Sequence, residues 1–217
     1  MINWLDTKSK ISSEKIFISK RIEDASLRNF FEQTLTQFHD ELQMLADQWY
    51  GYDEDGKAGT DEVFALIERS YVGLFNNAVI KSFPKDSVLQ EYSVHLGGRK
   101  YIFGDYLVKH WEGERSINLL FEAKQRQFNG KAYSKEATEL FLNPFIEQGQ
   151  RYYMAEEKYY NECTYISSLV FEWVRKVKHL KPVLEWNNDE DGVTDFYRFY
   201  HSDTAGLMVY GNLKKVK

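Results

Sequence analysis

Between Val88 and Lys124 the apolar residues change from a helical spacing to strict alternation, and this change constrains the fold more than any other feature of the chain. Val88 to Val94, Lys100 to Val108 and Ile117 to Lys124 each place apolar side chains at every second position. Gly97-Gly98 separates the first two runs. Side chains of a strand point alternately to opposite faces, so the pattern predicts a β-hairpin followed by a third strand. In the third run, Ile117, Leu119, Phe121 and Ala123 alternate with Asn118, Leu120, Glu122 and Lys124, which puts Glu122 and Lys124 on one face.

The flanking segments have a different period. Ile22, Leu27, Phe30, Phe31, Leu35, Phe38, Leu42, Leu45 and Trp49 recur at three and four, which predicts a helix over Ile22 to Tyr50, ended by the turn residues Gly51 to Gly59. A second helix is expected from about Asp61 to Lys81, capped by Thr60 and stopped before Pro84, with Glu68 on the edge of its apolar stripe. Asn143 and Pro144 are suited to open a third helix running to about Tyr160, on which Phe145, Gln148, Tyr152 and Ala155 share a face. Cys163 to Val174 reads as a further strand, and Val193 to Tyr200 with Gly206 to Leu213 as a closing hairpin. The expected fold is a mixed α/β domain with a β-sheet core flanked by helices.

The chain has 217 residues and 16% aromatic content, enough for one domain with a substantial core and too much apolar surface for disorder. Three parts are distinguished within a single domain over 1–217: an N-terminal helical extension at 1–59, a core at 60–175 and a C-terminal hairpin at 176–217. No apolar run approaches the roughly 20 residues of a membrane span, and no secretory signal pattern is visible, so a cytoplasmic location without membrane contact is expected. Cys163, the single cysteine, cannot form an intramolecular disulfide and excludes a cysteine-based zinc cluster. His39, His95, His110, His179 and His201 show no ligand spacing and are read as structural or surface residues. The net charge of -5 argues against a general polyanion binder. Locally the balance reverses: eight Lys and Arg stand against four Asp and Glu between Gly97 and Lys135.

Asp105 lies inside an otherwise uncharged run, Tyr101 to Val108, where a buried carboxylate requires a partner or a metal. If the next strand is its neighbour, Asp105, Glu122 and Lys124 converge. Two carboxylates there offer hard oxygen ligands to Mg²⁺ or Mn²⁺. The acid-x-Lys tripeptide is common by itself. With 33 acids and 19 Lys about 3 matches arise by chance, and there are four: at Asp6, Asp55, Glu122 and Glu156. The third alone ends an apolar strand that follows a strand carrying an isolated Asp.

In this order of elements the chain resembles the PD-(D/E)XK nuclease superfamily of restriction-endonuclease-like fold, over about residues 60 to 175. Glu68 on a helix, Asp105 in a hairpin and Glu122-Ala-Lys124 at a strand end occupy the positions of the family pattern, with Gly104 where a Pro often precedes the Asp. Gln148 and Tyr152 resemble the Gln-x-x-x-Tyr motif of the RecB-like and lambda-exonuclease-like branches. The resemblance implies that Asp105, Glu122, Glu68 and the backbone carbonyl of Ala123 bind Mg²⁺ or Mn²⁺, and that Lys124 positions the attacking water. It further implies that Gln148 and Tyr152 contact the nucleic-acid backbone or brace the site. Arg126, Lys131 and Arg151 are candidate phosphate contacts. The expected function is metal-dependent hydrolysis of phosphodiester bonds, in DNA before RNA. The alternative is an inactive module of the same fold that binds nucleic acid or a protein partner, including a second copy of the chain. A plainer reading of the residues stays open: Glu122 and Lys124 as an exposed same-face pair, Asp105 as a turn residue and Glu68 as a solvated helix edge.

Overall fold

The computed structural model describes residues 11–14, 16–49, 64, 66, 68–95, 101–128, 130, 135–156, 163–175, 177–184, 194–203 and 205–217. Nine strands form one mixed sheet, flanked by helices. The strands are β1 (Ser12–Ser13), β2 (Phe17–Ile18), β3 (Ser87–His95), β4 (Tyr101–Glu112), β5 (Arg115–Gln127), β6 (Cys163–Val174), β7 (Phe196–His201), β8 (Gly206–Gly211) and β9 (Leu213–Lys215). The helices are α1 (Ala25–Trp49), α2 (Glu68–Ser82), α3 (Lys135–Glu156) and α4 (Val177–Leu184). The main path across the sheet is β1-β7-β8-β6-β5-β4-β3; β2 also pairs with β7, and β9 with β6. β3, β4 and β5 are antiparallel neighbours, as the alternating runs predict. β5 and β6 run parallel, so the connection between them must cross the sheet, and α3 makes that crossing.

The central strand β5 is covered on both faces. Ile117, Leu119, Phe121 and Ala123 enter the main core with Phe30, Phe31, Leu35 and Phe38 of α1 and with Phe75 and Val79 of α2. On the other face, Leu120 packs with Ile166 of β6 and with Ile146, Tyr152 and Tyr153 of α3. A third cluster joins Leu142 of α3 and Leu180 and Val183 of α4 to Val170, Met208 and Tyr210. Among the described residues no helix is long and apolar enough to cross a membrane.

Two helices start elsewhere than their sequence pattern predicts. α1 begins at Ala25 because the Asp24 carboxylate accepts the Ser26 amide at 3.0 Å and so caps the helix. α2 is described from Glu68 to Ser82; the expected start near Asp61, its cap Thr60 and residues 61–63 lie outside the described residues. α3 begins at Lys135, with Pro144 inside it and not at its start. A proline there removes the helical bond to the carbonyl of Leu140, in a turn where Leu140 is exposed. The N-terminal and C-terminal segments are built into the same sheet and core. α1 supplies one side of the main core, β1 and β2 pair with β7, and β8 and β9 both pair with β6. Two-residue strands such as β1 and β2 are too short for periodicity to reveal, and α4 follows β6 with no turn signal.

Candidate active site

The site forms where β4 separates from β5. The ladder between them runs from Glu112↔Arg115 to Tyr106↔Phe121. One position further, Asp105 stands opposite Glu122. Beyond this point the amide groups of β5 that face β4 need other acceptors, since an unpaired buried amide is costly. Asp105 Oδ2 accepts the Ala123 N–H at 2.8 Å. Glu68 Oε2, from the first turn of α2, accepts the Gln125 N–H at 2.8 Å. The Gln125 side chain donates to the carbonyl of Leu66, which ties the start of α2 to the same strand end. Two carboxylates from separate elements thus continue the ladder with side chains.

Lys124 lies at the centre of this group. Its Nζ is 3.4 Å from Glu122 Oε1, 3.6 Å from Asp105 Oδ2 and 4.0 Å from Glu68 Oε1. Burial alone would lower the Lys124 pKa, but the charges of Asp105, Glu122 and Glu68 together outweigh it and raise it. The side chain is therefore a firmly held ammonium. Glu122 is 2% exposed. Burial, and secondly the negative charge of Asp105, push its carboxyl up to about 8 against the opposing pull of Lys124. Two like charges close together, one of them buried, cannot both ionise cheaply.

Glu122 is also held from α3. Gln148 Nε2 donates to Glu122 Oε1 at 2.6 Å and also to the Tyr152 hydroxyl. Burial raises the Tyr152 pKa, so its hydroxyl stays neutral. Of the two roles expected of Gln148 and Tyr152, contact with a nucleic-acid backbone or bracing of the site, these bonds fit bracing, and Tyr152 is buried. Glu122 Oε2, by contrast, is buried and has no hydrogen-bond partner.

The candidate phosphate contacts fare differently. Arg126 is not directed to the site; it pairs with Glu172 at 2.7 Å and stacks on the Phe141 ring at 4.1 Å. Glu172 is buried and also accepts from Tyr210, so it requires the guanidinium as counter-charge. Arg151 is exposed on α3. Lys131 lies outside the described residues. The local excess of cations is likewise partly consumed in structure, because Arg115 pairs with Asp24 at 2.6 Å and Lys109 stacks on Trp111.

Hard oxygen donors on three elements, one of them buried and unpartnered, suit a divalent cation of the Mg²⁺ class. Among the described residues, however, no three His, Cys, Asp or Glu side chains converge as a finished ligand set. Their shared point is taken by Lys124 Nζ, and one oxygen each of Asp105 and Glu68 is already engaged by an amide. To hold a cation here the carboxylates would have to draw inward, in competition with the lysine.

A second constellation invites comparison. Ser26 Oγ is 3.1 Å from His110 Nε2, and His110 Nδ1 is 2.8 Å from Asp86 Oδ2, in the manner of a nucleophile, base and orienting acid. His110 is buried against the rings of Phe30 and Phe83, and Ser26 is buried as well. With both so buried and hydrogen-bonded, the set is a polar network of the core, a structural place for that histidine. Gln125 also belongs to the site, since its two bonds fix α2 to β5, yet a glutamine at a strand end carries no signal of that role.

No protein-family model, no curated protein and no solved structure matches the chain.

Proposed function

We propose that the protein is a metal-dependent nuclease with a restriction-endonuclease-like core, hydrolysing phosphodiester bonds in DNA. The observation that carries this reading is the placement of Lys124 Nζ within 4.0 Å of carboxylates from α2, β4 and β5. Asp105 and Glu122, with Glu68 and the Ala123 carbonyl, would hold Mg²⁺ or Mn²⁺. The cation supplies Lewis-acid stabilisation of negative charge developing at the phosphoryl group. Lys124, kept as an ammonium by its three acidic neighbours, donates hydrogen bonds and orients the attacking water; it does not serve as the base. Gln148 fixes one oxygen of Glu122 and leaves the other available. Positioning of this kind accounts for much of the rate that a hydrolase achieves.

A second reading has its own support. Asp105 and Glu68 each cap a β5 amide, which is a structural duty sufficient to explain their presence, and an inactive module binding nucleic acid or protein would retain it. Cleavage of single- and double-stranded DNA by the wild type and K124A, in Mg²⁺ and in EDTA, separates the two. The nuclease reading expects cleavage that needs Mg²⁺ and falls at least a hundredfold in K124A. Absence of cleavage, or cleavage undiminished in K124A, refutes the assigned roles.

A further inference from the structure

The carboxylate group borders a cavity of about 760 Å³ lined by Glu68, Asp105, Gly104, Arg69, Gln90 and Glu91, within the size range of small-molecule clefts, roughly 300–1,000 Å³. Four of these residues have no part in the hydrolytic scheme, and two of the four pair with each other. Arg69 Nε and Glu91 Oε1 form an ion pair at 2.9 Å, with side chains 80% and 58% exposed. Among the described residues lining the cavity, Arg69 is the one cation, set among three acids.

Glu91 is itself unusual. The pairs Gln90↔Tyr106 and Tyr92↔Gly104 bracket it, so it stands opposite Asp105 in the β3–β4 ladder. Its φ is +48°, a left-handed conformation that a residue with a Cβ adopts only under constraint. Such backbone tends to occur where function fixes it. Its carboxylate reaches Arg69, the residue directly after Glu68. An exposed ion pair contributes little stability. Giving up Glu91 is therefore cheap for Arg69, while a phosphate offers its guanidinium a bidentate, charge-assisted partner.

We propose that Arg69 is the phosphate clamp of the site, binding a substrate phosphate next to the scissile one, and that Glu91 holds the guanidinium until a polynucleotide displaces it. The inference rests on the nuclease reading in taking a polynucleotide as the ligand. It adds the residue that recognises the backbone and the acid that competes for it. It also answers the charge problem of an acidic chain that binds a polyanion: the cation is screened in the free protein and exchanged on binding.

The test is fluorescence anisotropy with a labelled single-stranded DNA oligonucleotide in Ca²⁺, at several salt concentrations, for the wild type, R69A, R69K and E91Q. R69A is expected to weaken binding about tenfold and to lower the slope of log affinity against log salt by about 0.7, the loss of one phosphate contact on a single strand. R69K restores part of the affinity, and E91Q tightens binding severalfold. With Mg²⁺, R69A raises KM more than it lowers kcat. Unchanged affinity and slope in R69A, or no effect of E91Q, overturns the clamp even if the wild type cleaves DNA; a wild type that binds no oligonucleotide overturns it too. If these affinity changes appear without Mg²⁺-dependent cleavage, the clamp stands and the nuclease reading falls.

Discussion

Gln148 on α3 donates to Glu122 on β5 at 2.6 Å, so the carboxyl at the heart of the site is aimed by a helix that crosses the sheet and not by its own strand. Outer groups that orient a metal ligand are commonly worth tenfold to a hundredfold in affinity or activity. Q148L removes the donor and keeps the volume. Mn²⁺ affinity and kcat should both fall by about ten- to a hundredfold, with Q148E failing likewise because it adds a charge. Unchanged metal affinity in Q148L would show that Glu122 is positioned by other means.

The raised carboxyl of Glu122 makes stability depend on pH. In the unfolded chain it ionises near its ordinary value of 4.5, whereas in the fold it keeps its proton up to about 8. Between these values the folded state binds the extra proton, so stability is greatest below about 4.5 as regards this group and declines as pH rises through 8. Lys124 adds no slope there, since its pKa is raised above the ordinary lysine value. Urea unfolding in EDTA at pH 5, 6.5 and 8.5 should show a falling midpoint, and E122Q should flatten that fall. A midpoint that rises over this range in the wild type but not in E122Q contradicts the sign.

Gly149 explains how Gln148 comes within reach. A Cβ built at Gly149 runs into Ile166 Cγ2 on β6, so the helix lies closer to the sheet than any side chain there would permit. G149A should destabilise the protein by about 1–3 kcal/mol through overpacking and should weaken Mn²⁺ binding as well, by lifting Gln148 away from Glu122. I166L in the G149A background removes the γ2 methyl that the new Cβ meets, at constant volume, and should recover part of both. Loss of stability with wild-type metal affinity would separate the close packing from the site.

Much of this arrangement was legible in the sequence. The alternating runs located β3, β4 and β5, and the isolated Asp105 beside Glu122-Ala-Lys124 pointed to the cluster, because a charge inside an apolar strand demands compensation. Arg126 shows the limit of such reading. A cation two residues beyond the tripeptide looks available for phosphate, and only the tertiary placement of Glu172 reveals that it is already paired. Glu91 was equally silent, since strand register and a left-handed backbone leave no trace in local composition. The N-terminal helix was visible but its place was not: periodicity identifies an apolar face without naming the surface it covers.

The central claim is that the carboxylates around Lys124 form a cation-binding centre. Calorimetric titration of Mn²⁺ into the wild type, D105N and E122Q at pH 8.5, repeated at pH 7 in two buffers of different ionisation enthalpy, tests it most directly. The account predicts saturable binding in the wild type, buffer-dependent heat at pH 7 from the proton that Glu122 must release, and loss of binding in both variants. No Mn²⁺ binding by the wild type, or binding that survives D105N and E122Q, would contradict it.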